Sequence, residues 1–148
     1  MIIREYRPED YLEVLKVWEA TGIFDKERRD TAESIASCIA RGGRFLILED
    51  PDGGTIRGTS WMTYDGRRIH LHHFAIIEEI QGEGWGRILA AESLKFASLK
   101  GCPVRLEVHR ENHRAIRLYT SLGFREFEDY GVYMLFNPPL PNEQENET

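Results

Sequence analysis

Three glycines fall within five positions in residues 81–87, which read QGEGWGR and precede a helical pattern. A loop with so few side chains lets backbone N–H groups approach a ligand closely, and phosphate groups are common ligands at the start of a helix. Spacing excludes two such loops. A P-loop needs Gly-x-x-x-x-Gly-Lys followed by Ser or Thr, a dinucleotide loop needs Gly-x-Gly-x-x-Gly, and neither pattern occurs here.

Two further side chains have types that suit acid and base chemistry. Glu107 belongs to the strand pattern VRLEV, where it alternates with Leu106 and Val108 and so lies on the opposite face. A carboxylate in that position can accept a proton or attract a cation. Tyr119 belongs to the last helical pattern, and its phenol, with an ordinary pKa of about 10, can donate a proton.

Periodicity predicts the elements that position these groups. The expected order is strand, helix, helix, three strands, helix, strand, helix and two strands, with the second helix capped by Asp30 or Thr31. The last helix is predicted at about 112–122. The last two strands, residues 124–130 and 132–137, are predicted to form a closing hairpin at Gly131.

One pair of these strands is predicted to be parallel. A helix connects the strand before the glycine loop, residues 68–77, to the strand at 104–108, and such crossovers join parallel neighbours. The C-terminal ends of both strands then lie at one edge of the sheet, where ligands bind in open α/β arrangements. The glycine loop and Glu107 are therefore expected close together.

Composition limits the class of protein. The chain has 148 residues, 41% of them hydrophobic, and a net charge of -6, which disfavours nonspecific nucleic-acid binding. No apolar run is long enough to span a membrane, and the N-terminal stretch lacks the features of a signal peptide, so we expect a cytoplasmic protein. Cys38 and Cys102 are predicted to be reduced thiols.

The two motifs together resemble those of a known family. Residues 81–86 fit the pattern [Gln/Arg]-x-x-Gly-x-[Gly/Ala], and residues 106–124 fit Leu-x-Val-x-x-x-Asn-x-x-Ala-x-x-Leu-Tyr-x-x-x-Gly-Phe at every fixed position. On these residues the chain resembles the GNAT superfamily of acetyl-CoA-dependent N-acetyltransferases. The wording of its motifs is most similar to that of the branch that contains ribosomal-protein N-terminal acetyltransferases.

The resemblance implies a mixed α/β (α+β) fold. Residues 1–137 are expected to form one domain, with a mostly antiparallel twisted sheet of about seven strands, a parallel pair at the cofactor cleft and about four helices. Residues 138–148, with three prolines and three glutamates, are predicted to be a flexible C-terminal tail.

The resemblance also implies a reaction and its residues. Acetyl would pass directly from acetyl-CoA to a primary amine in a ternary complex, in a monomer or homodimer, with no metal. Tyr119 matches the tyrosine that protonates the leaving thiolate, and Glu107 the glutamate that acts as a base through water. The N–H of Ile76 would stabilise the oxyanion where the strands splay apart. The residues expected to bind the cofactor are Phe74, Ala75, Ile76, Gln81, Gly82, Glu83, Gly84, Trp85, Gly86, Arg87 and Asn112.

Each of these roles has an alternative. Tyr119 also fits a packed core position, and Glu107 a solvated sheet face. Asn112 would equally cap the last helix, Arg87 could face solvent, and Glu83 stands where relatives more often have a basic or neutral residue. The whole domain could also be a catalytically silent acyl-CoA-binding module used for sensing or partner binding.

The histidines leave the identity of the base open. His70 and His72 share a strand face and His73 follows, but a third ligand at a suitable spacing is missing, which disfavours zinc. Any of them, or His109, could act as the base or line the amine pocket.

The acceptor amine is also open. The resemblance places it between residues 21–30 and 125–133. A peptide α-amine, a lysine side chain, a polyamine and an aminoglycoside all fit this position.

Overall fold

The computed structural model describes residues 1–140, which form one sheet with helices on both faces. The predicted flexible tail, residues 138–148, lies mostly outside this range, and its described part, 138–140, is exposed. Short 3₁₀ turns occur at Pro8–Asp10, Lys26–Arg28 and Glu78–Ile80. The strands and helices are β1 (Ile2–Glu5), α1 (Tyr11–Ala20), α2 (Ala32–Ala40), β2 (Arg44–Glu49), β3 (Ile56–Tyr64), β4 (Ile69–Ile76), α3 (Trp85–Lys100), β5 (Val104–Arg105) and α4 (His113–Ser121).

The strands follow one another across the sheet in chain order, from β1 to β5. The first three pairs are antiparallel, and β4 and β5 are parallel. The mixed sheet and the parallel pair are therefore confirmed. The parallel pair follows from the crossover helix α3, which returns the chain to the same end of the sheet.

The sheet separates two apolar layers, because alternate residues of its central strands point to opposite faces. Phe45 and Ile47 of β2 pack in the layer that contains Val14 and Trp18 of α1. The residues that follow each of these along β2, Leu46 and Leu48, pack in the layer under α3 and α4. Both faces of β2 are thus buried, and the sheet holds the two helix pairs at fixed positions.

Side chains cap the two helices that border the cleft described below. The hydroxyl of Thr31 accepts a hydrogen bond from the N–H of Ser34 (3.1 Å), so Thr31 rather than Asp30 caps α2. Asn112 Oδ1 accepts one from the N–H of Ala115 (3.2 Å) at the start of α4. The capping alternative for Asn112 is therefore correct, and its side-chain oxygen is already engaged.

The predicted closing hairpin is wrong in this structure. Residues 124–137 contain no strand, so the described residues provide five strands instead of about seven. β5 also ends at Arg105, earlier than the predicted 108. A strand needs an edge to pair with, and β5 pairs with its neighbour over only two residues. The alternating segment therefore runs over the surface, where Tyr133 is 94% exposed.

Two observations concern the other expectations from composition. Cys38 and Cys102 are both free thiols. Within residues 1–140, no helix combines the length and apolar character required to span a membrane.

Gly58 allows β3 and β4 to approach each other, which gives a test of the fold. A Cβ at this position would lie 2.8 Å from the carbonyl oxygen of Ala75 and 2.9 Å from Ile76 Cδ1. Since the first contact is with backbone, the strand has to move. We expect Gly58→Ala to lower the free energy of unfolding by about 1–3 kcal/mol, measured by urea denaturation.

Gly53→Ala is the matched control, because a Cβ at Gly53 would meet no atom within 4 Å. Its effect should stay within about 0.5 kcal/mol. Equal destabilisation by the two substitutions would show that the close approach at Gly58 is unimportant.

Candidate active site

A cleft of about 1720 Å³ runs along β4, where the sheet opens. β4 and β5 are paired only at Ile69 with Val104 and at His70 with Arg105. Beyond these pairs, both Leu71 of β4 and the residues that follow β5 line the cleft. The two parallel strands thus separate after two residue pairs, and the space between them is open to a ligand.

A bulge in β4 accompanies this separation. His73 has a left-handed backbone (φ 44°), and the register of β3 against β4 shifts between Thr59 and Trp61. The hydroxyl of Thr59 donates a hydrogen bond to the carbonyl of His73 (2.7 Å) and accepts one from Trp18 Nε1 (3.0 Å). Because a bulge bends and twists its strand, this buried relay holds β4 in the shape that diverges from β5.

The direction of the Ile76 backbone follows from the pairing of β3 with β4. Gly58 lies opposite Ile76, and the N–H of Ile77 donates to the carbonyl of Arg57 (2.9 Å). Gly58 and Ile76 therefore form a non-hydrogen-bonded pair, whose backbone groups point away from the partner strand. Both the N–H and the C=O of Ile76 thus point toward the separated side, where the C=O accepts a hydrogen bond from Gln81 Nε2 (2.7 Å).

The glycine loop turns the chain from β4 into α3. Gly82 (φ 84°) and Gly84 (φ 92°) both have left-handed backbones, which other residues adopt only with strain. Gly84 is the N-cap of α3 and supplies no capping side chain. The first N–H groups of the 16-residue helix are therefore not used by a cap, and the helix N-terminus offers them to an anion.

Arginines lie beside this helix terminus. Arg114 of α4 donates a hydrogen bond from Nη1 to Gln81 Oε1 (3.2 Å), which ties α4 to the loop. Arg87, in the first turn of α3, donates from Nη2 to the hydroxyl of Ser121 (2.8 Å). Both arginines line the cleft, so this end is electropositive.

Tyr119 is buried yet borders the same cleft. It is 8% exposed, and its ring packs against Phe74 (centroids 6.0 Å apart) and Phe124 (5.7 Å). Burial raises the pKa of Tyr119 to about 12. The phenol is therefore protonated throughout the neutral pH range and can act only as a hydrogen-bond or proton donor toward an anion.

Glu107 forms a hydrogen-bonded pair with His70 across the opening. Nε2 of His70 lies 2.5 Å from Glu107 Oε2, and Arg105 donates to Oε1 (3.0 Å). Burial acts to raise the pKa of Glu107, but the hydrogen bonds from His70 and Arg105 outweigh it and keep the pKa below its usual value. Glu107 is thus ionised at neutral pH and accepts a hydrogen bond from His70 Nε2, so Nδ1 is the ring nitrogen that is left for another partner.

His72 lies against His70 but has a different character. The two ring centroids are 3.7 Å apart, and Nε2 of His72 is hydrogen-bonded to the hydroxyl of Thr63 (2.9 Å). Burial, together with the charges of His70 and His73, lowers the pKa of His72 to about 3. His72 is therefore neutral at every pH at which the protein is expected to work.

His73 and Asp30 form a buried contact that sequence reasoning missed. Nε2 of His73 lies 2.8 Å from Asp30 Oδ2, although the two groups are not aligned as a hydrogen bond. The side chains are 5% and 15% exposed, and the His73 ring packs on that of Trp18 (4.3 Å). The sequence marks Asp30 as a cap candidate and as the last residue of the segment 21–30, but no local pattern pairs it with a residue 43 positions away.

Most of the predicted site residues line this one cleft. They are Phe74, Ile76, Gln81, Gly82, Gly84, Gly86, Arg87, Glu107, Asn112 and Tyr119. Three others do not line it. The side chain of Ala75 packs in the layer on the other face of the sheet, Glu83 is exposed, and Trp85 packs on the layer under α3.

Other cleft residues were not among the predicted ones. Arg114 is one of them, although its position two residues after Asn112, at the start of a helix, is a usable signal. The apolar residues that line the cleft include Ile23, Phe24 and Val132, from the two segments expected to hold the acceptor, and also Met134 and Phe136. No cluster of three or more His, Cys, Asp or Glu side chains suited to a metal ion occurs in residues 1–140.

Solved structures with this fold are numerous. An acetyltransferase of the GNAT family from Staphylococcus aureus Mu50 superposes with a TM-score of 0.77 at 18% identity, over 85% of this chain and 84% of that one. A putative acetyltransferase from Agrobacterium tumefaciens superposes with a TM-score of 0.73 at 18% identity, over 91% of this chain and 99% of that one. The ribosomal-protein-S18-alanine N-acetyltransferase from Escherichia coli superposes with a TM-score of 0.71 at 22% identity, over 84% of this chain and 77% of that one.

A match to a family model at the level of sequence is stronger evidence of family membership than these structural similarities at 18–22% identity. The model of the acetyltransferase (GNAT) family matches residues 4–124, which include the second half of β1, the bulged β4, the glycine loop and α4. Enzymes of this family use acetyl-CoA as co-substrate, in agreement with the anion-binding end of the cleft and the buried phenol beside it. The chain therefore belongs to the GNAT family and is an acyltransferase.

Proposed function

We propose that this enzyme transfers the acetyl group of acetyl-CoA directly to a primary amine in a ternary complex. The observation that carries the proposal is the separation of β4 from β5. It leaves the Ile76 N–H directed into a cleft that also contains the anion-binding helix terminus, Tyr119 and Glu107. A donor for an oxyanion, an acid and a base thus border one space.

The pyrophosphate of acetyl-CoA is proposed to bind at the glycine loop. The first N–H groups of α3 carry partial positive charge, and Arg87 and Arg114 stand beside them. Glu83 is exposed and takes no part through its side chain, and Trp85 contributes only its backbone. The pantetheine arm would then follow β4 past Phe74 and Ile76 toward Tyr119.

The chemical step follows from this placement. The amine nitrogen forms a bond to the thioester carbon, the carbonyl electrons move to oxygen, and the Ile76 N–H stabilises that oxyanion. Collapse then breaks the C–S bond and releases the thiolate. The protonated phenol of Tyr119 donates a hydrogen bond to the developing thiolate and gives it a proton as CoA leaves. The phenol then regains a proton from solvent, which receives the one that the amine has lost.

The base is proposed to be His70, oriented by Glu107. The ionised carboxylate fixes the Nε2 proton of His70, and Nδ1 can take a proton from the amine directly or through water. Glu107 alone would be a weak base, because its pKa is below the usual value for a carboxylate. Its charge also favours the imidazolium that forms.

The direct test of the function is acetyl-CoA turnover against a mixed panel of amines, read as release of free thiol. We expect release that depends on both substrates. Binding of acetyl-CoA without turnover of any amine would instead support the catalytically silent acyl-CoA-binding module.

Removal of the Tyr119 hydroxyl tests the acid. Tyr119→Phe keeps the packed ring but cannot donate to the thiolate, so we expect kcat to fall about a hundredfold or more. Affinity for acetyl-CoA, measured by calorimetry, should change less than about threefold, because the hydroxyl acts only as the C–S bond breaks. An unchanged kcat would assign Tyr119 to packing alone.

Substitutions of two neighbouring histidines test the base. We expect His70→Gln to lower kcat/KM about a hundredfold or more, because glutamine cannot take the proton of the amine. His72→Gln is the control, and kcat/KM should change less than about threefold, because an imidazole with a pKa of about 3 is too weak a base to take that proton. Equal losses in the two variants, or a larger loss in His72→Gln, would contradict the assignment.

A further inference from the structure

The cleft has a second end, away from the glycine loop. Ile76 of β4 contacts Gln81 of the loop, whereas His73 of the same strand contacts Asp30, which belongs to the segment between α1 and α2. The cleft therefore extends along β4 from the anion-binding terminus to residues 21–30. The reacting carbon lies between these ends, beside Ile76, so the acceptor must enter from the second end.

Apolar side chains exposed to water line this second end. Phe24 is 42% exposed, Val132 64%, Met134 68% and Phe136 36%. All four, together with Ile23, face the cleft. Water-exposed apolar surface that lines a concave site is typical of a place where an apolar ligand group binds.

The spacing of these residues gives the segment two different faces. Val132, Met134 and Phe136 alternate with Tyr133 and Leu135, which do not line the cleft. Such alternation is what an extended segment presents, with one face to each side. The segment thus turns one apolar face to the cleft, and the opposite face is available as an internal control.

A polar contact joins the two sides of this end. Arg29 donates a hydrogen bond from Nη2 to Asn137 Oδ1 (2.5 Å), across 108 positions of sequence. It fixes the extended segment beside residues 21–30, which contribute Ile23 and Phe24. The apolar residues from the two segments therefore enclose a common space.

The charges at this end suit a single ammonium group. Glu107 is held by His70 and Arg105, Asp30 contacts His73, and Asp25 is paired with Arg28 (3.6 Å). Lys26 and Arg28 also line the cleft. The carboxylates are thus partly compensated, and among residues 1–140 no row of free acids lines the cleft along the apolar residues.

From this arrangement we propose that the acceptor is a small primary monoamine with an aliphatic or aromatic skeleton; this inference rests on the proposed function. The ammonium group is drawn to Glu107 and gives its proton to His70, while the apolar skeleton covers Phe24, Met134 and their neighbours. A polyamine or an aminoglycoside would place charged or hydroxyl groups against side chains that offer them no hydrogen bond, which is unfavourable.

The first test compares acceptors in the thiol-release assay. The panel contains n-alkylamines of increasing length, 2-phenylethylamine, spermidine, an aminoglycoside and a short peptide with a free α-amine. We expect kcat/KM to rise about fourfold with each methylene until the space is filled, and 2-phenylethylamine to exceed spermidine. Preference for spermidine, the aminoglycoside or the peptide would overturn the inference and leave the acetyltransferase function standing.

The second test uses the two faces of the extended segment. Met134→Gln should lower kcat/KM for the preferred apolar amine about tenfold, with KM for acetyl-CoA unchanged, because only the acceptor contacts this side chain. Leu135→Gln, on the opposite face, should leave both values unchanged. Equal effects of the two variants would overturn the inference. Binding of acetyl-CoA without thiol release from any amine would remove it together with the proposed function.

Discussion

The separation of β4 from β5 is the constraint on which the site depends. Two neighbouring parallel strands would normally satisfy each other's backbone groups along their length. Here the pairing stops after His70 and Arg105, and the left-handed backbone at His73 bends β4 away. The same geometry opens the cleft and directs the Ile76 N–H into it. A straight β4 would close the site.

The rest of the molecule maintains this opening. In the core on one face of the sheet, the Thr59 hydroxyl donates a hydrogen bond to the carbonyl of His73 in the bulge, and Trp18 Nε1 donates one to the Thr59 hydroxyl. On the other face, α3 and α4 pack on β4 and present a helix terminus and a buried phenol to the cleft. The side chains that line the cleft change in character along its length. Arginines lie at the glycine loop, Glu107 and His70 follow, and apolar residues lie at the far end. In the function we propose, each region binds a different part of the two substrates.

The parts of the fold that are encoded locally could be predicted from the sequence. The glycine loop, the cap at Asn112 and the parallel pair depend on residue types at short spacing or on the handedness of one crossover. The bulge could not be predicted, because a left-handed histidine has no sequence signal. The contact of Asp30 with His73 and the position of the segment around Met134 depend on long-range packing. The sequence pattern predicted a strand there, because the pattern could not show that the segment lacks a pairing partner.

A crystal structure of the complex with acetyl-CoA would test the central claim most directly. The account predicts that the thioester oxygen lies about 3 Å from the backbone nitrogen of Ile76, with the pyrophosphate on the first N–H groups of α3 and the sulfur beside Tyr119. A thioester bound away from Ile76, or β4 and β5 paired along their full length around the ligand, would contradict it.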